Sequence, residues 1–99
     1  MTGLRLLPWS DLEGRPCYLS SDNGNSPLNR RADQIEELQL SMGTQLLGHA
    51  RALLDAPAAD ARELRFLAER LGEALRDVLR VAESRGGRLA ASSEDADLA

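Results

Sequence analysis

The chain has 99 residues, with 16 acidic side chains against 12 basic ones, a net charge of −4 and an isoelectric point near 4.9. That length holds one domain at most, and the acidic balance argues against a surface devoted to neutralising phosphate, which needs a basic footprint. Apolar residues make up 42% of the chain and aromatic ones 3%, so the core has to come from Leu, Ala, Ile, Val and Met, a composition that favours helix.

Residues 1–26, "MTGLRLLPWSDLEGRPCYLSSDNGNS", carry Gly, Pro, Ser, Asp and Asn in the spacing that interrupts helices. They read as an irregular N-terminal arm. Within it "PCYLS" is a short extended segment, since Pro16 disfavours helix and Tyr18 prefers strand, and it either lies against the helices or pairs with its copy in a second chain. "SSDNGNS" supplies a turn. Trp9, Cys17, Tyr18 and Leu19 are too apolar for a fully solvated tail.

A first helix is expected from Ser26 as N-cap and Pro27 at the first helical position, running to the breaker "DAPAAD". At about 100° per residue, Leu28, Ala32, Ile35, Leu38, Met42, Leu46 and Leu53 share a face, with Leu40, Gly43, Leu47, Ala50 and Leu54 beside them. The arc is roughly 200°, wider than one neighbour covers. Gln39 falls near its centre and needs a partner for its amide, either as a register-setting polar residue or under the arm.

Asp60 and Glu63 form a capping pair for a second helix, and the short connection makes the two helices antiparallel. On the second helix Leu64, Leu67, Leu71, Leu75, Val78 and Val81 head an apolar arc of about 160°. Gly86 and Gly87 suit a left-handed C-terminal cap, after which residues 88–99, ending "AASSEDADLA", read as an acidic disordered tail. The organisation is thus an arm at 1–26, a helical hairpin at 27–87 and a tail at 88–99. The apolar arcs exceed what two helices bury in each other, and a chain this small has no disulfide or metal to compensate. Dimerisation into a four-helix bundle follows as the expectation, with Gln39, Met42, Leu46, Leu47 and Ala50 as the candidate interface and Gly43, Gly48, Ala50, Gly72 and Ala74 permitting close approach.

Groups able to carry chemistry are few. His49 has no Cys or carboxylate at i+3 or i+4 to begin a metal site, which needs about four ligands. Cys17 is the single cysteine, lacks a CxxC partner and reads as a small hydrophobe. The helix carboxylates, Glu36 and Glu37 among them, sit amid arginines as surface groups, with Arg65–Glu69, Glu73–Arg76 and Asp77–Arg80 as ordinary pairs. "SSDNGNS" lacks the Lys-Ser/Thr of a phosphate loop. Arg62, Arg65, Arg76 and Arg80 share one side of the second helix, but acidic residues interrupt them. Phe66, the one phenylalanine, projects roughly opposite the core face, where with Arg62, Arg70 and Glu73 it forms a candidate partner surface. The alternative is that it packs against the arm through Trp9 or Tyr18.

All twelve basic residues are arginine, as a GC-rich genome would encode. Taken together, "PW", "GRPCYLSSD", "ADQIEELQLSMGTQLLGHARALL" and "ELRFLAERLGEALRDVLRVAESRG" resemble a group of short helical proteins of high-GC actinomycete bacteria, over residues 8 to 87. The resemblance implies an origin and brings no activity, ligand or site residue with it.

The expectation is therefore an all-α protein that is not an enzyme and has no cofactor or metal, acting as a small protein-binding regulator or adaptor and forming a homodimer. The start "MTGLRLLPWSDLEG" lacks the pattern of a secretory signal, and no lipidation signal is visible at either end. Charges also interrupt every apolar run short of the roughly 20 residues of a membrane span, so a cytoplasmic location without membrane contact is expected. Two alternatives remain: a dimeric accessory of a DNA-bound transcription regulator, and a small-ligand carrier or enzyme with a pocket under the arm that uses Cys17, Tyr18 or His49.

Overall fold

The computed structural model describes residues 3–20 and 26–98, the last eight of these by their backbone alone. In chain order it has strand β1 (Leu4–Ser10), strand β2 (Pro16–Ser20), helix α1 (Pro27–Asp55) and helix α2 (Ala61–Leu98). Two long helices pack antiparallel, and a two-stranded sheet lies on them.

The first correction concerns the N-terminal arm. It is an antiparallel hairpin, so the fold is mostly helical without being all-α. "PCYLS" is extended as expected, but its partner is β1 of the same chain, in the register Leu4↔Ser20, Arg5↔Leu19 and Leu6↔Tyr18. The strand character of "LRLLPWS" was hidden by its lack of alternation: Arg5, Leu6, Leu7 and Pro8 are all buried. The register then shifts, so that Ser10 pairs with Pro16. Pro8 lies within the irregularity, the place in a sheet where a residue without an N–H is tolerated.

The turn between the strands is organised by Asp11. Its Oδ1 accepts from the N–H groups of Glu13 and Arg15, both at 2.9 Å, and its Oδ2 accepts from Arg15 Nε at 2.9 Å. Gly14 supplies the one positive φ, +80°, that the turn requires. These hydrogen bonds, first the one from the Arg15 backbone, hold the Asp11 carboxyl below the usual carboxylate range. The turn expected at "SSDNGNS" falls largely on residues 21–25, outside the described residues.

α1 starts as its sequence dictates. Ser26 Oγ accepts from Asn29 N at 3.2 Å, and Pro27 occupies the first turn. The helix stops at Asp55, where Ala56 adopts an extended conformation ahead of Pro57. Asp60 Oδ1 then accepts from Glu63 N at 2.8 Å and opens α2.

The second correction concerns the end of α2, which passes through Gly86 and Gly87 and continues to Leu98. Neither glycine is left-handed. Two helical glycines cost about 1 kcal/mol each relative to alanine, but the turn after them is tied down: Arg88 Nη1 donates to Ser84 Oγ at 2.6 Å, and Arg88 Nη2 lies 3.6 Å from Glu36 Oε1. Tertiary contacts therefore override the local stop signal.

Candidate functional site

The half of the helical hairpin away from the interhelix loop carries the sheet, attached through β1 by polar contacts and by the buried Leu6 and Leu7. Ser84 Oγ donates to Leu6 O at 2.7 Å, while Gln39 Nε2 at 3.1 Å and Arg80 Nη1 at 3.3 Å both donate to Pro8 O. Gln39 thus finds its partner under the hairpin strand, although its Oε1 is buried without one among the described residues. The register shift in β1 is what leaves the Pro8 carbonyl free to face the helices.

At the centre of the attachment is a charged cluster that sequence reasoning did not identify. Arg5 is 4% exposed and Glu36 1%. The Arg5 guanidinium donates to Asn29 O at 3.2 Å, to Asn29 Oδ1 at 2.8 Å and to Asp33 Oδ1 at 2.6 Å, and lies 3.4 Å from Glu36 Oε1. Arg85 and Arg88 approach the same Glu36 oxygen at 3.8 and 3.6 Å. Arg85 also reaches Glu37 Oε1 at 3.2 Å. Three arginines meet three carboxylates, so the cluster is balanced, and its geometry is that of a clasp between sheet and helices. Glu36 is therefore no surface carboxylate. The signal lay in the spacing of Asn29, Ala32 and Glu36, which puts them on the helix face also occupied by Gly43 and Ala50.

Nearer the interhelix loop the seam between the helices has no cover among the described residues. Leu40, Gly43, Thr44 and Leu47 from α1 face Leu71, Ala74, Leu75 and Val78 from α2 across an apolar groove of about 450 Å³. A Cβ on Gly43 would stand 3.6 Å from Val78 Cγ2, so these helices approach closely here. Leu47 is 68% exposed and Leu75 58%. Leu54 and Leu64 extend the same two rows towards the interhelix loop and are also exposed. On α2 the groove residues point away from Arg80 and Ser84, whereas on α1 they continue, towards the interhelix loop, the rows of Asn29, Asp33 and Glu36 that meet Arg5.

Of the five residues expected to form a dimer interface, only Leu47 lines this groove. Ala50 is already buried within the chain and Gln39 is bonded to β1. Met42 and Leu46 fall on the flank that carries the sheet, and Met42 is half exposed. Gly48 and Gly72 have open space where a Cβ would stand, so neither supports the packing of α1 on α2.

Phe66 is 58% exposed and lies with His49, Leu53, Arg62 and Glu63 around a shallow recess near the interhelix loop. All of its neighbours there belong to the helices, so neither Trp9 nor Tyr18 lines this recess. Arg70 stacks on the Phe66 ring with its Cζ 5.4 Å from the centroid, and pairs with Glu73 at 2.8 Å. Arg70–Glu73 takes the place of the pair expected at Glu73–Arg76. Arg80 is committed to Pro8 O rather than to Asp77, which removes one member of the possible arginine ridge.

The remaining candidates stand apart from one another. His49 is exposed, and Cys17 is half-buried on β2. Tyr18 lines a separate recess with Leu6, Ser10, Arg76 and Glu83. Among the described residues no group of three or more His, Cys, Asp or Glu side chains could hold a metal ion, and no helix is long and apolar enough to cross a membrane. No protein-family model, curated protein or solved structure matches the chain.

Proposed function

We propose that the chain is a non-catalytic protein-docking module, a small regulator or adaptor, and that its working surface is the apolar groove between the two helices. The observation that carries this reading is the exposure of Leu47 and Leu75 in an apolar groove between two helices that the clasp already fixes further from the interhelix loop. Contiguous exposed apolar surface of this kind marks interaction sites, and a groove between helices takes the apolar face of a further helix. The charge cluster supports the same reading because its arginines and carboxylates neutralise one another and offer no open site to an anion or substrate.

Replacing Leu47 and Leu75 by Asp tests the proposal. Helicity by circular dichroism is expected to persist, because neither side chain is buried within the chain, while association through this face is lost. Unchanged association in the double variant, whether with itself or with another chain, would overturn it.

A further inference from the structure

A second recess, separate from the interhelical groove, lies between the β-hairpin and α2 and has a volume of about 240 Å³. It follows from the register shift in the sheet. Leu6 pairs with Tyr18 and Ser10 with Pro16, and these four residues, two on each side of the irregularity, all line the recess. Such irregularities re-aim side chains and are over-represented beside functional sites. From α2 come Leu79, which with Leu6 supplies apolar surface, and the charged Arg76, Arg80 and Glu83. From this combination we infer that the recess is a binding site for a small organic monoanion, a carboxylate carried on an apolar body.

Two guanidiniums reach this space without a carboxylate partner. Glu73 is held by Arg70 at 2.8 Å, and Arg76 makes no ion pair or hydrogen bond among the described residues. Arg80 spends Nη1 on Pro8 O at 3.3 Å, which anchors its half-buried guanidinium against the hairpin and leaves Nε and Nη2 uncommitted among the described residues. The two arginines stand one helical turn apart, a spacing at which like charges repel. An oxyanion between them converts that repulsion into charge-assisted hydrogen bonds. The clasp around Glu36 has no such capacity, since its arginines already meet Asp33, Glu36 and Glu37. Glu83 also lines the recess and has no partner among the described residues, so two positive charges face one negative. That balance accepts a monoanion and opposes a phosphate dianion. The hydroxyls of Ser10 and Tyr18 add donors at the hairpin side. Sites for drug-sized ligands begin at about 300 Å³, so the occupant is smaller, on the scale of one ring bearing a carboxylate.

The test is a titration of the full chain with benzoate, followed by amide chemical shifts, beside benzamide as the neutral molecule of the same shape. Benzoate is expected to give saturable shifts at Leu6, Tyr18 and Leu79, and benzamide to bind at least about tenfold more weakly. Arg76→Gln and Arg80→Gln are each expected to weaken benzoate about tenfold. Both should keep the fold, since Arg76 has no contact to lose and Pro8 O retains Gln39 as a donor when Arg80 is removed. Glu83→Gln is expected to act in the opposite direction and tighten benzoate severalfold, because it removes the one negative charge of the lining. Arg62→Gln, outside the recess, is expected to change nothing. Absence of saturable shifts with benzoate overturns the inference, and so does benzamide binding as tightly as benzoate. Equal weakening by Arg62→Gln and Arg76→Gln also overturns it, since that marks diffuse attraction to arginines rather than a site.

Discussion

The guanidinium of Arg5 lies 3.4 Å from the carboxylate of Glu36, with both side chains buried, and this pair joins the first strand to the first helix. Breaking a buried pair by removing one partner leaves an uncompensated charge, which costs about 3 to 5 kcal/mol. Arg5→Met is therefore expected to remove a large part of the roughly 5 to 15 kcal/mol that stabilises a typical domain. The double variant Arg5→Met with Glu36→Leu is expected to recover most of the loss. Urea denaturation of the three proteins checks this, and a double variant no more stable than the single one would show that the pair has another role.

Ser84→Ala deprives Leu6 O of its donor and Arg88 of an acceptor. A buried carbonyl left without a partner costs about 1 to 3 kcal/mol. The loss is expected to appear first as faster amide exchange in β1 and β2, with the helices still protected. Uniformly faster exchange throughout would mean that the sheet and helices unfold as one unit.

Because Gly86 and Gly87 are helical with open space at the Cβ position, replacing each by Ala is expected to stabilise α2 by about 1 kcal/mol. The opposite result, a lower melting temperature, would indicate a left-handed cap at this point, where a Cβ is penalised. Thermal melts followed at 222 nm distinguish the two.

Asp11 gives the hairpin a pH dependence of known sign. Its folded-state pKa is lowered, first by the Arg15 backbone hydrogen bond, so its contribution is complete above the ordinary aspartate pKa of about 3.9 and is lost as pH falls through the lower folded value. Asp11→Asn is expected to flatten the acid limb of the stability curve between those values. A limb of unchanged steepness would mean that other carboxylates dominate it.

Phe66→Asp is expected to leave the fold intact, since the ring is mostly exposed and its stacking with Arg70 contributes about 0.5 to 1 kcal/mol at such a site. Association through the groove is expected to stay at the wild-type level, because Phe66 does not line it. A dissociated Phe66→Asp protein would move the interface to the recess beside His49 and Leu53.

Local signals sufficed for the helix starts. Ser26 with Pro27, and Asp60 ahead of Glu63, act within one turn, and capping depends on little beyond that turn. The antiparallel hairpin followed from Pro57 and a short loop, and the extended character of "PCYLS" from Pro16 and Tyr18. Strand β1 was not legible, because burial of four successive residues erases the alternation by which a strand is recognised, and a proline inside it argues for a loop. Gly86 and Gly87 misled for the opposite reason: their local preference is real, and Glu36, on a different helix and far back in the chain, has no sequence mark showing that it will hold Arg88.

The sequence by itself determined that two amphipathic helices would form and fold back on each other, since periodicity, caps and a breaker act along the chain. Which apolar residues stayed uncovered was decided only in three dimensions. Arg5 draws the hairpin strand onto the half of the helical pair away from the interhelix loop, where it meets Asn29, Asp33 and Glu36, and Leu47 and Leu75 are left bare nearer the loop. A helical wheel records the direction of each side chain from its own axis, but not which direction a second element will occupy, and that choice rests on a buried charge pair whose members lie on different elements.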